Sequence, residues 1–454
     1  MTDKPHSIKR IPRVAIRRRR LMDPQTIKAI LAIGSIVFIG FFGNLIFVRF
    51  RIPDVLILVA LGMIIGPDIL GKTIGLVTND TLSGINRYQD FLLSAALILI
   101  LFDGGLSLDV RTVIRSMKIS TFIIVLTLLS EITIVALALH FIMNMDLLLS
   151  FVVGAIVGGT GEAVVIPIAN RLRVRPETKS MLVMESVITD VFVIVIALTL
   201  MQVIVLGNFS VVSLARELAM KFLFGAAFGF AAGVAWLFVL QKLQNQPLSY
   251  MITMGALLIV AGFVELSPMQ SSAAVAALAF GLAIGNRKFI KRWLTSLSLK
   301  LSSDEHIHQF HSEIAFFVRT FFYVYLGLMF RFSTFTALHL IIGVSIIGII
   351  VVVRRTTSLI AWKVGDMDRS DANALFSLMP RGLAAAVLAT LPAALLAATS
   401  VWKPEYAPLI LNVALIVILG TTILTTVLSY MVERNIDQQN RKQLRRKLTE
   451  TESA

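Results

Sequence analysis

The sequence predicts an all-α, polytopic membrane protein of about thirteen transmembrane helices, built as an inverted repeat with two interrupted helices crossing near the bilayer midplane. Three observations predict it. The chain is 57% hydrophobic and only 15% charged, with a mean hydropathy of +0.84, where a soluble chain carries about a quarter charged residues. Apolar windows of bilayer-crossing length, roughly 20 residues, recur from end to end. Two of them are broken by Gly and Pro around polar residues, at GAIVGGTGEAVVIP (154–167) and LMPRGLAAAV (378–387).

Residues 1–25 form a basic N-terminal tail containing KRIPRVAIRRRR. It resembles the basic part of a signal peptide. The apolar stretch that follows is too long for a cleavable core and lacks an evident small-residue cleavage site, so it reads as a retained first helix. The windows lie near 26–50, 53–70, 89–107, 118–143, 147–169, 178–206, 211–240, 247–266, 270–286, 311–330, 336–362, 372–398 and 406–431. None is polar enough for a soluble domain, so 26–432 reads as a single membrane domain. The segment 433–454, ERNIDQQNRKQLRRKLTETESA, reads as a short, charged tail of frayed helix without a nucleotide-sensing module.

The net charge of +15 resides in loops and tails, which in a membrane protein sets orientation and argues little for nucleic acid. Arg111, Arg115 and Lys118 share one loop; Arg171, Arg173, Arg175 and Lys179 share another; Lys242, then Arg287, Lys288, Lys291 and Arg292, then the C-terminal tail follow. Loops near 144–146, 207–210 and 267–270 carry no Lys or Arg. This alternation predicts a multi-pass protein of the cell membrane with a cytoplasmic C-terminus. Thirteen spans then put the N-terminus outside, against its own basic charge. The chain has no cysteine, which excludes disulfides, thiolate catalysis and Cys-ligated metal. Small-residue spacings at Gly62–Gly66, Gly225–Gly229–Gly233 and Gly281–Gly285 predict close helix packing, within the chain or between two copies.

The chemistry lies in MESVITDVFV, 184–193, where Glu185 and Asp190 stand inside an otherwise apolar span. An embedded acid costs about 2.5–3.5 kcal/mol on insertion scales and marks function by default. Five residues along a helix is about 140° and about 7.5 Å, so the two acids face different neighbours. Thr189 can offer a hydroxyl beside the Asp190 carboxylate. Glycines 154, 158, 159 and 161 before Glu162 and Pro167 predict a break that exposes backbone groups at membrane depth, with Thr160 and Glu162 at the break. Pro380 and Gly382 flank Arg381 in the matching break. Arg354 and Arg355 sit in the body of another span, IIVVVRRTTSLIAW, and need anions from among Glu185, Glu162, Asp190 and Glu131. One arginine is expected to neutralise Glu185, leaving Asp190 free to exchange its counter-ion. A carboxylate in a poorly solvated cavity can hold a proton near neutral pH, and its oxygens equally suit Na⁺, K⁺ or Li⁺. A site that opens only when loaded must exchange one for the other, which predicts antiport of one proton per monovalent cation.

These motifs resemble the cation/proton antiporter superfamily across nearly the whole membrane domain. RIPDVLILVALGMIIGPDILG (51–71), LILFDGGLSLD (99–109) and ELSPMQSSAAVAALAFGLAIGN (265–286) resemble its helix signatures. MESVITD (184–190) is similar to the Glu-Ser-x-x-Asn-Asp motif of the electroneutral sodium/proton branch, and PRGLAAAV (380–387) to its Arg-Gly motif. The resemblance implies that Asp190 binds cation and proton, that Glu185 pairs with an arginine best matched by Arg354, and that a core subdomain interleaved with a dimerisation subdomain moves in a homodimer. The chain departs from the family in two places. Thr189 stands where the family has Asn, and Thr160-Gly161-Glu162 stands where it has Thr-Asp-Pro. A subset lacking that Asp is associated with K⁺ as well as Na⁺.

The expected cation- and proton-binding set is therefore Asp190, Thr189, Thr160 and Glu162, with Glu185, Arg354 and Arg381 as charge partners. No cofactor, resident metal or enzymatic activity is expected. HIHQFH (306–311) has no acid or Cys to complete a metal site, and RKFIKRWLTSLSLKL (287–301) reads as an amphipathic interfacial helix. Asp103 and Glu131 are embedded acids with structural hydrogen bonding as the default. The competing functions are an organic-anion symporter in which Arg381 binds the substrate's anionic group, a cation channel, and a lipid-active membrane enzyme, for which six histidines offer little.

Overall fold

The computed structural model describes residues 34, 38, 40–42, 53–66, 68–69, 89–107, 119–207, 211–243, 249–267, 272–287, 289–290, 305–365 and 367–452, and every regular element among them is helical. The basic N-terminal tail, most of the first apolar window, the loop with Arg111, Arg115 and Lys118, and nearly all of 287–301 lie outside the described residues, as do the side chains of His306, His308 and His311.

The chain runs α1 (Asp54–Ile65), α2 (Gln89–Ser107), α3 (Ile119–Met143), α4 (Leu147–Ile156), α5 (Glu162–Arg171), α6 (Pro176–Leu206), α7 (Val211–Lys242), α8 (Ser249–Glu265), α9 (Ala273–Gly285), α10 (Glu305–Met329), α11 (Ala337–Val364), α12 (Arg369–Ser377), α13 (Leu383–Leu388), α14 (Leu391–Leu395) and α15 (Tyr406–Glu452). Among the described residues, five stretches are long and apolar enough to cross a membrane: Ser120–Met143, Pro176–Leu206, Leu223–Lys242, Ala337–Val364 and Tyr406–Gln438. Their outward faces expose Phe141, Ile142, Ile341 and Val352, side chains that lipid rather than water suits.

Local chemistry sets the ends. Asn144 adopts a left-handed φ of 50° between α3 and α4. The Asp146 carboxylate then accepts the first free amides of α4, from Leu148 at 2.9 Å and Leu149 at 3.2 Å. Pro176 opens α6 where its missing N–H costs nothing, and Gly207, at φ 64°, closes it. The window expected at 372–398 is cut twice, after Ser377 and again after Leu388. The charged tail is helical, as expected, and continues α15 to Glu452. No Gly or Pro follows Gly420, so nothing in the covalent chain stops the helix.

Packing sorts the helices into two groups. In one, α3 lies on α4 and α11, α6 on α4 and α5, and α15 on α11 and α12. Each half of this group is a helix, a broken helix and a helix: α3, α4–α5, α6 and α11, α12–α13–α14, α15. In the other, α9 lies between α2 and α7, and α10 lies on α1. Glycine makes the second group tight. A Cβ on Gly62 of α1 or Gly327 of α10 would overlap the other helix's backbone, as would one on Gly281 or Gly285 against α2 and on Gly229 or Gly233 against α9. The small-residue spacings thus serve contacts within the chain.

Candidate functional site

The two breaks meet back to back. The N–H of Gly161 donates to the carbonyl of Pro380 at 2.7 Å, and Gly161 and Gly382 face each other so closely that a Cβ on either would overlap the other's Cα. Only glycine permits that approach, which accounts for a Gly on each side of the crossing.

A helix that stops in the membrane leaves carbonyls without amide partners, and each must be satisfied internally. Arg381, fully buried, uses Nη1 to donate to the carbonyls of Gly158 at 2.9 Å and Gly159 at 2.6 Å, and Nη2 to donate to Oε2 of Glu131 at 3.0 Å. It thereby ties α3 and the end of α4 to the second break. Arg354 does the same from α11. Its Nε donates to the carbonyl of Leu375 at 2.9 Å and its Nη2 to that of Leu378 at 2.8 Å, while both terminal nitrogens hold the carboxylate of Glu185. Arg355 points elsewhere, to Asn373 at 3.3 Å and the ring of Phe376. Two hydroxyls of α15 finish the second break: Thr425 Oγ1 accepts from the N–H of Met379 and Thr421 Oγ1 from that of Arg381, both at 3.1 Å.

Thr189 and Thr160 come together. Thr189 Oγ1 accepts from the N–H of Thr160 at 3.1 Å and lies 3.0 Å from Thr160 Oγ1. The Thr189 hydroxyl thus anchors the first break to α6, a use that its place beside Asp190 in sequence did not announce. Asp190 stands between the breaks. A Cβ built on Gly159 would lie 3.2 Å from its Oδ1, and one on Gly382 3.5 Å from its Oδ2. The N–H of Glu162, the first of α5, hydrogen-bonds to this carboxylate, where the helix dipole favours negative charge. Among the described residues, neither Asp190 nor Glu162 makes an ion pair. Glu162 instead lies in the electrostatic field of Asp190, of Asp103 on α2 and of Arg319 on α10.

Of the expected charge partners, Glu185 and Arg354 pair with each other, whereas Arg381 goes to Glu131 and the α4 carbonyls rather than to Asp190 or Glu162. Sequence reasoning missed the Arg381–Glu131 pair. It also missed Arg319, which pairs with Asp54 of α1 at 3.3 Å, and Tyr323, one turn further along α10 and fully buried. Arg319 and Tyr323 lie in the window at 311–330, which reads as one more apolar span. A charged residue near its middle was the available signal.

Comparison with known proteins bears on the family and the fold. The chain is 25% identical over 331 residues to the K⁺/H⁺ antiporter NhaP of Alkalimonas amylolytica, covering 72% of this chain and 53% of that protein. It is 25% identical over 288 residues to the probable Na⁺/H⁺ antiporter 2 of Methanocaldococcus jannaschii, covering 62% and 64%. The chain therefore spans between half and two thirds of the length of these curated relatives. The solved structure of the sodium proton antiporter MjNhaP1 from Methanocaldococcus jannaschii at pH 8 superposes with a TM-score of 0.73 at 20% identity, over 90% of this chain and 98% of that one, so the fold is shared. Residues 34–433 match the family model described as sodium/hydrogen exchanger, transmembrane. The crossed breaks, the arginine clamps and this match lead to one conclusion: the chain is a multi-pass membrane protein that belongs to the sodium/hydrogen exchanger family, a family of transporters.

Proposed function

We propose that the chain exchanges a monovalent cation, Na⁺ first with K⁺ and Li⁺ as further substrates, for a proton at Asp190, one for one and by alternating access. The observation that carries this is a contrast among embedded acids. Glu131 and Glu185 are each held by a buried arginine, whereas Asp190 makes no ion pair among the described residues and faces both breaks. An acid already neutralised by arginine has nothing to exchange. One that is not needs a mobile counter-ion, and in the membrane a proton or a cation supplies it. The carbonyls and hydroxyls near the breaks, with Thr160, Thr189 and Glu162 beside Asp190, are oxygen donors suited to a hard cation. Movement of the α3–α6 and α11–α15 group against the other helices opens the site to one side at a time. The protein works as a homodimer in the cell membrane with its C-terminus cytoplasmic.

An anion-binding role for Arg381 fits poorly. Both of its terminal nitrogens are committed to carbonyls and Glu131, and the side chain is fully buried.

The test is proton flux in liposomes loaded with an acid interior, with Na⁺, Li⁺, K⁺ or choline added outside. Cation-driven proton release that vanishes in folded Asp190→Asn supports the proposal. Release that survives the substitution, or no release with any cation, removes it.

A further inference from the structure

Arg319 stands at the boundary between the two helix groups. Among the described residues its one ion pair is to Asp54, through Nη2 and Oδ2 at 3.3 Å, and its guanidinium lies over the Phe316 ring. The other Asp54 oxygen accepts from the N–H of Val55 at 3.0 Å. Among the described residues Arg319 Nε is buried without a hydrogen-bond partner, so the guanidinium has donor capacity that Asp54 does not use. Helices α1 and α10 touch backbone to backbone at Gly62 and Gly327, which keeps Asp54 and Arg319 on one rigid surface. Across the boundary, Glu162 of α5 lies within the field of Arg319. Tyr323, one turn on from Arg319, shares one buried apolar cluster with Val55, next to Asp54 on α1, and Val164, two residues after Glu162 on α5. Its buried Oη has no partner among the described residues and shares the field of Asp54, Arg319, Asp190 and Glu162.

We propose that Arg319 sets how tightly the exchange site takes its cation, and that Asp54 restrains it from doing so fully. A guanidinium stays charged at every working pH. It is a tethered cation that competes, through the field at Glu162, with the mobile one. Asp54 holds that charge on its own side of the boundary. Without Asp54, the guanidinium turns its free donors toward Glu162 and opposes loading more strongly. Without Arg319, loading meets less opposition. The residue does not touch the cation; it acts on a residue of the candidate site. This inference rests on the exchange reading above.

The test uses the full chain in liposomes, measuring the Na⁺ and K⁺ dependence of proton release at one fixed pH, with thermal stability in detergent as the check on folding. Arg319→Gln is expected to lower the apparent KM about fivefold and Asp54→Asn to raise it about fivefold, the usual size of a coupling between nearby sites. Arg319→Lys keeps the charge and stays within about twofold of wild type. The Asp54→Asn, Arg319→Gln double variant follows Arg319→Gln, because Asp54 acts only through Arg319. If Arg319→Gln does not fold, Arg319→Met, which keeps the apolar stem, takes its place. Folded single variants whose KM is unmoved, or whose KM moves in the same direction, make the pair a packing contact and overturn the proposal. Wild type without exchange removes the exchange reading and this inference together. Exchange in wild type with an unmoved KM removes this inference alone.

Discussion

Arg381 donates to Glu131 across 3.0 Å with both side chains sealed from the surface, and the pair does at the first break what Arg354 with Glu185 does at the second. In each, a buried arginine takes two carbonyls at the end of an interrupted helix and one carboxylate from a continuous neighbour. The breaks stay open because the groups they free are claimed by charge rather than by a continuing helix. Both acids so used have a fixed counter-charge, whereas among the described residues Asp190 and Glu162 stand at the breaks without an ion pair.

The first prediction concerns Glu185 and Arg354. Arg354→Met leaves a buried carboxylate and two carbonyls without partners, and removing one member of such a pair costs about 3–5 kcal/mol. Glu185→Gln with Arg354→Met restores neutrality and recovers part of that loss. Arg354→Lys recovers little, because an ammonium cannot serve the planar, four-bond arrangement. Denaturant titrations in detergent measure all three. Additive losses from the two single changes would show that the residues do not act as a pair.

The second prediction separates close approach from ordinary glycine effects. Gly161→Ala and Gly382→Ala each force a methyl into the facing backbone, so both are expected to lower exchange at least tenfold by parting the breaks, with misplacement of about 1 Å sufficient for a loss of that order or more. Gly348→Ala in α11 has open space around it and leaves flux within about twofold, since a glycine in a helix interior is only about 1 kcal/mol worse than alanine. Flux assays on the three variants decide the matter, and normal flux in Gly161→Ala would sink the crossed-break account.

Much of this architecture was legible in the residues, because bilayer length and backbone satisfaction leave few options. The helices at 89–107 and near 178–206 follow from apolar run length, and the first break follows from four glycines ahead of Glu162. Glu185 needed a buried cation, and its spacing from Asp190 already gave the two acids separate neighbours. The Arg381–Glu131 pair was not legible. It joins residues 250 apart in sequence, and an isolated acid in an apolar run does not name its partner. Thr421 and Thr425 were equally silent, since a threonine in an apolar helix looks the same whether it bonds to its own preceding turn or caps another segment. Nothing marked Asp54 for Arg319 either, since an acid in the first turn of a helix is justified by dipole compensation alone.

The third prediction tests the anchor between Thr160 and Thr189. Thr189→Val keeps shape but deletes the acceptor for the Thr160 N–H, an unmet buried donor worth about 1–3 kcal/mol. The first break loosens against α6, and cation discrimination is expected to fall together with stability. Thr189→Ser keeps the hydroxyl and retains both. Na⁺/K⁺ flux ratios and thermal stability are compared across the set. A Val variant with unaltered ratio and stability would mean that the two hydroxyls are merely adjacent.

The last prediction concerns charge moved per cycle. Glu162 shares the field of Asp190 and Asp103 and stands where the related motif carries proline. With Asp190 as the sole exchanging acid, each cycle carries one positive charge in either direction, so an ionophore that clamps membrane potential leaves wild-type flux unchanged. Glu162→Gln then keeps that insensitivity but raises the apparent KM for cation about fivefold, because one negative charge has left the neighbourhood of the site. The opposite pattern has an equally definite meaning. If wild-type flux follows the membrane potential and Glu162→Gln abolishes that dependence, Glu162 carries a second proton and the exchange is two for one. A clamp experiment on these two proteins therefore fixes the stoichiometry, and it does so through the position at which the chain departs most from the motif it otherwise follows.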